Sequence, residues 1–191
     1  MVARGMMFTT SLSQRFRISS RRAQGCSAWN ALLEKHNSAY RLIDGEAAKI
    51  TNDTEIEAIE SALEVKLKGV TTHLKSALAK LADRKTPDHR NSVKESISAI
   101  ESLAQSLTGN SKATLGDALK VLGPAVGMHT AFKEALSKLY GYTSNAEGIR
   151  HAILEEASVT YADALFMLVT CSAFVNYVLS KAAEGKVRLQ H

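Results

Sequence analysis

Two polar clusters hold the residue types that could do chemistry. In the first, Arg150 and His151 stand side by side at a Gly148-led helix start, and Glu155 follows His151 by four positions. Side chains four apart meet on a helix, so an imidazole–carboxylate pair is expected there. On a phosphodiester, His151 would carry the proton and Arg150 would stabilise charge on the phosphate. The same residues also fit a structural role, with His151 paired to Glu155 and Arg150 tying two helices together. In the second cluster, Arg90, Lys94, Ser98 and Glu101 form one helical stripe, and Asn91, Glu95 and Ser102 form its neighbour. Arg90, Lys94 and the N–H groups of a helix start could hold a phosphate. The alternative for this second cluster is a solvated face opposite an apolar stripe.

Other chemistries leave no trace in the sequence. There is no phosphate-binding GxxxxGK[ST] loop, no GxSxG elbow, no HExxH pair and no calcium loop. The His residues at 36, 73, 89, 129, 151 and 191 share no ligand spacing, and Cys26 and Cys171 match no zinc or redox pattern. No metal and no cofactor are expected.

The elements that must position these clusters are mostly helices. Trp29–His36 reads as a short helix with Trp29, Leu32 and Leu33 on one face. Asp44-Gly45, between Ser38–Ile43 and Glu46–Thr51, is a hairpin signal, because a type I′ turn needs positive φ at both central residues. A two-stranded hairpin is marginal in water and needs a further strand or a helix beside it. Thr51–Thr54 offers N-caps for a helix through Ile56, Ile59 and Leu63, and His73–Asp83 continues at helical spacing. Gly69 either divides these two or lies within one helix. Asp88–Leu107 is the clearest helix, its apolar stripe being Val93, Ile97, Ile100, Ala104 and Leu107, and Gly109 closes it. A helix from Thr114 to about Leu122 is stopped by Gly123-Pro124, and another runs from His129/Thr130 to Tyr140. Gly148–Glu155 is a short helix, and Thr160–Ala183 is long and apolar on most sides, as befits the central helix of a bundle. Its Thr170, Ser172 and Asn176 favour a buried core helix over a bilayer span. No membrane association is expected.

Of the 191 residues, 45% are hydrophobic and 23% charged, which excludes a disordered chain and a disulfide scaffold. The net charge of +5 is local. Residues 1–33 carry five Arg and no acid, which leaves 19 basic and 19 acidic residues in 34–191. That Arg- and Ser-rich start reads as a disordered extension or a transit peptide. A cytoplasmic setting is otherwise the expectation.

Residues 39–63 (AYRLIDGEAAKITNDTEIEAIESAL), 90–103 (RNSVKESISAIESL), 112–122 (KATLGDALKVL), 131–156 (AFKEALSKLYGYTSNAEGIRHAILEE) and 162–181 (ADALFMLVTCSAFVNYVLSK) together resemble the C-terminal part of bacterial abortive-infection proteins with a HEPN-like helical domain. The resemblance covers about residues 29–182. It implies an all-α HEPN-like bundle with a short N-terminal β-hairpin, often dimeric and used in phage defence. Many proteins of the wider superfamily are metal-independent ribonucleases, whose nuclease branch carries Arg-x(4–6)-His on a helix. Arg84 to His89 matches that pattern formally, across Pro87, whereas Arg150-His151 has the types without the spacing. Proteins of this group carry a further N-terminal segment, so the chain reads as a truncated member. The expected organisation is 1–28 as a basic tail, 29–85 as hairpin plus helical segment and 86–191 as helical bundle, with 29–191 one unit. Two functions follow. One is a defence domain that binds RNA or nucleotide, with Arg150 and His151 catalytic and Arg90, Asn91, Lys94, Glu95 and Glu155 binding. The other is a non-catalytic helical module that docks onto a second copy, a missing N-terminal domain or a partner protein.

Overall fold

The Asp44-Gly45 pair folds the chain back on itself. In the computed structural model, which describes residues 25–144 and 159–185, Asp44 and Gly45 both have positive φ, 47° and 89°. Strand β1 (Arg41–Ile43) thereby pairs antiparallel with β2 (Glu46–Ala48), Leu42 standing opposite Ala47. Helix α1, over residues 25–35, precedes them. Asn30 on α1 binds the outer edge of β1 twice: its Oδ1 accepts from the Leu42 N–H at 2.6 Å, and its Nδ2 donates to the Leu42 carbonyl at 2.9 Å. Arg41 is buried, and its guanidinium donates to the Ser38 and Tyr40 carbonyls at 2.9 and 3.0 Å. These contacts replace the water a buried cation has lost. The unit formed by α1 and the hairpin ends at Thr51, and a second, larger unit begins at Asn52.

The second unit is helical, and side-chain caps set most of its boundaries. Asn52 caps α2 (Asp53–Leu63) by accepting from the Glu55 N–H. The chain then turns through Glu64–Leu67 into α3 (Lys68–Ala82), so the break precedes Gly69, which is the second residue of α3. A Cβ at Gly69 would meet Ser102 at 3.1 Å, so glycine serves the close approach of α3 to α4 (His89–Thr108). Asp88 caps α4, and Gly109 ends it with φ of 69°. Thr114 and Asp117 form a capping box at α5 (Leu115–Val126), as Thr160 and Asp163 do at α7 (Tyr161–Glu184). The Lys120 ammonium and the Thr114 donors hold the Asp117 carboxyl down at about 2. Helix α6 (Thr130–Ser144) lies between α5 and α7 in the chain.

Several boundaries differ from the sequence expectation: α1 begins at residue 25 ahead of Trp29, α3 begins at Lys68 ahead of His73, and α6 runs past Tyr140 to Ser144. Gly123-Pro124 does not stop α5, which carries Pro124 inside it and runs on to Val126. Proline removes a single N–H and so a single backbone bond. The left-handed residue that ends the helix is Gly127, with φ of 63°, and its N–H returns to the Gly123 carbonyl.

The core of this unit lies where α4 and α7 run side by side in the same direction. At their N-terminal ends the rings of His89 and Tyr161 meet edge to face, 5.8 Å apart. Further on, Leu107, Leu119, Leu122 and Val178 close the space between α4, α5 and α7 and leave no room for a water. Helix α7 touches α2, α3, α4 and α5, the central position that its composition suggested. Its buried side is one stripe, Ala164, Met167, Leu168, Cys171, Val175, Val178 and Ala182, while Phe166 is 59% exposed. Asn176 ties it to α2 by donating to the Ala58 carbonyl at 2.9 Å.

Burial pushes the Cys171 thiol up to about 12, so hardly any reactive thiolate exists at neutral pH. A disulfide reagent is expected to label half-buried Cys26 promptly and Cys171 only after denaturant is added. Two equally fast thiols in the native protein would contradict this packing.

Candidate functional site

The second polar cluster is built on the corner where α3 passes into α4. Asp83 draws the connection tight by accepting from the Lys85 N–H at 2.8 Å, the Thr86 N–H at 3.0 Å and the Thr86 hydroxyl at 2.8 Å. Those bonds hold its carboxyl below the usual range. The Asp88 N–H then returns to the Lys80 carbonyl at 3.4 Å. Pro87 keeps the preceding residue out of the helical region, so α4 starts afresh after it.

Of the residues singled out on this cluster, two are engaged by neighbours. Asn91 donates to Asp88 from its backbone N–H at 3.1 Å and from Nδ2 at 2.7 Å. The N–H group that could have met a phosphate therefore meets the protein's own carboxylate. The Asn91 donors in turn keep the Asp88 carboxyl low, so that charge stays on the helix start. Glu95 faces His73 of α3, with Oε2 2.8 Å from Nδ1. Arg90 and Lys94 are exposed, one turn apart.

Arg150, His151 and Glu155, and the short helix expected around them, lie outside the described residues, as does the basic segment 1–24. No group of three His, Cys, Asp or Glu side chains that could hold a metal comes together among the described residues.

Several polar contacts were not visible in the sequence. The His73–Glu95 pair spans 22 positions and the Asn176–Ala58 bond 118, so neither follows from local spacing. Ser92 Oγ, fully buried, donates to the Ala77 carbonyl of α3 at 2.8 Å. Only its place on the apolar side of the α4 stripe, next to Val93, hinted at burial. These side chains fasten α4 to α3 and α7 to α2. They present no nucleophile next to a base. As an arrangement, the described part of the cluster can attract an anion at its surface and can hold two helices together.

Set against protein-family models, curated proteins and solved structures, the chain matches none.

Proposed function

We propose that the chain is a HEPN-like helical unit of the abortive-infection type and that it acts as an interaction module rather than through catalysis at the α4 stripe. The observation that carries the mode of action is the use made of the α4 polar residues. Asp88 and Asn91 close the helix start, and Glu95 is taken by His73. The family part of the reading is supported by the resemblance over residues 29–182 and by the mostly helical architecture with its hairpin. Exposed large apolar side chains fit a docking role: Trp29 and Leu32 on α1, and Val121, Phe132 and Phe166 on α5, α6 and α7. Isolated exposed apolar residues are ordinary, so it is their size and number that support docking, two on the first unit and three on the second.

A second reading, RNA or nucleotide binding with cleavage through Arg150 and His151, is favoured by Arg90 and Lys94 remaining exposed one turn apart. One experiment separates the two. RNA is incubated with the full chain and with its His151→Ala variant in the presence of a chelator. The module reading expects equal background cleavage by both. Cleavage lost in His151→Ala, with unchanged helical circular dichroism, would overturn it in favour of a metal-independent ribonuclease.

A further inference from the structure

The charges of the second unit are segregated. Helix α2 contains no Lys or Arg, and Asp53, Glu57, Glu60 and Glu64 follow at i, i+4, i+7 and i+11, all exposed. Positions at that spacing share one face of a helix. Like charges there disfavour the helix, and Glu64 also stands at its negative end. The corner between α3 and α4 has the opposite character. Between positions 80 and 94 the chain carries Lys80, Arg84, Lys85, Arg90 and Lys94 against two acids, Asp83 and Asp88. The Asp88 N–H meets the Lys80 carbonyl at 3.4 Å, which brings the end of α3 beside the start of α4 and its Arg90. The Asp83 carboxylate is turned onto the N–H and hydroxyl donors of the connection, and the Asp88 carboxylate onto the Asn91 N–H and amide of α4. Helix α3 separates Glu64 from this corner by about 22 Å along its axis, well over the screening length in ordinary buffer.

We propose that the corner formed by Lys80, Lys85, Arg90 and Lys94 is an interaction surface for a second copy of this chain, whose acidic α2 face it receives. The inference rests on the module reading and supplies its partner. Charge complementarity selects the occupant. The acidic stripe covers three turns on one face, and the basic corner offers Arg90 and Lys94 one turn apart to meet successive carboxylates. Single-stranded RNA fits the corner less well. Its binding draws on aromatic faces for stacking, and the rings at this end of α4, His89 and Tyr161, are already engaged with each other edge to face.

The test is sedimentation velocity of the full chain at low and high salt. Association is expected at about 0.05 M salt and is expected to weaken by at least roughly tenfold at about 0.5 M, as screening shortens. Arg90→Glu/Lys94→Glu makes both surfaces acidic, and Glu57→Lys/Glu60→Lys/Glu64→Lys makes both basic. Each variant alone is expected to stay monomeric. Mixed, they are expected to associate, because each α2 then faces a corner of opposite sign. Circular dichroism of each variant checks that it folds. A monomeric wild type at low salt, a mixture that stays apart, or either variant associating alone would each overturn the proposal. If the wild type is monomeric and a labelled RNA binds it but not Arg90→Glu/Lys94→Glu, the corner belongs to nucleic acid. None of these outcomes depends on the cleavage assay, so the module reading is judged separately.

Discussion

Leu168→Ala is expected to lower the unfolding free energy by about 3–4 kcal/mol, whereas Phe166→Ala two residues away changes it by less than about 0.5 kcal/mol. Leu168 is fully buried in α7, on the stripe that also carries Met167, Cys171, Val175 and Val178. Truncating it removes apolar area from the core and leaves a cavity that neighbouring helices cannot fill without moving. Phe166 is 59% exposed, and its removal empties nothing. Against a total stability of the order of 5–15 kcal/mol, the first loss is large. Urea titration measures both, with an unchanged slope showing that the unfolded state is the same. The pair also addresses what α7 is. By length and composition alone this helix could cross a membrane. A lipid-facing helix would treat Leu168 and Phe166 alike, so equal effects of the two substitutions would refute the core-helix reading.

The sequence was informative where one residue decides one backbone feature. Asp44-Gly45 marks the turn, Gly109 the end of α4, and Asp88, Thr114 and Thr160 the starts of helices, and all are found in those roles, while of the candidates Thr51–Thr54 it is Asn52 that caps α2. It misled at Gly123-Pro124, where the missing N–H of one proline was read as a stop and the terminator lay three residues on, at Gly127. It was silent on His73–Glu95 and Asn176–Ala58, which exist only because α3, α4, α2 and α7 pack as they do. The Arg90–Glu95 group was recognisable as a stripe, but whether its members face a ligand or a neighbouring helix depends on that packing. Net charge concealed more than it disclosed. A balance of 19 basic and 19 acidic residues in 34–191 suggests a neutral surface. Yet residues 53–64 hold five acids and no base, and residues 66–94 hold eight bases and two acids. Averaging over the chain cancels two faces that are separated in space.

Replacing Asn30 with Ala is expected to release the hairpin. A two-stranded hairpin lacks the cross-strand contacts to stand alone in water, and here β1 and β2 are three residues each. In place of a third strand, the Asn30 amide supplies both a donor and an acceptor to Leu42, at 2.9 and 2.6 Å. This is the pairing that a neighbouring backbone would give to an open sheet edge. Each bond contributes about 1 kcal/mol net, and the half-buried Leu42 N–H and carbonyl would lose both partners at once. The expected loss of about 2 kcal/mol corresponds to roughly 30-fold faster exchange of the Leu42 amide. Asn30→Asp keeps the acceptor and removes the donor, placing a carboxylate against the Leu42 carbonyl, so it too should loosen β1. If amide exchange at Leu42 is unchanged in Asn30→Ala, the side chain is not the missing third strand. The buried Ile43, Ala48 and Ile50 would then have to hold the hairpin by apolar packing alone.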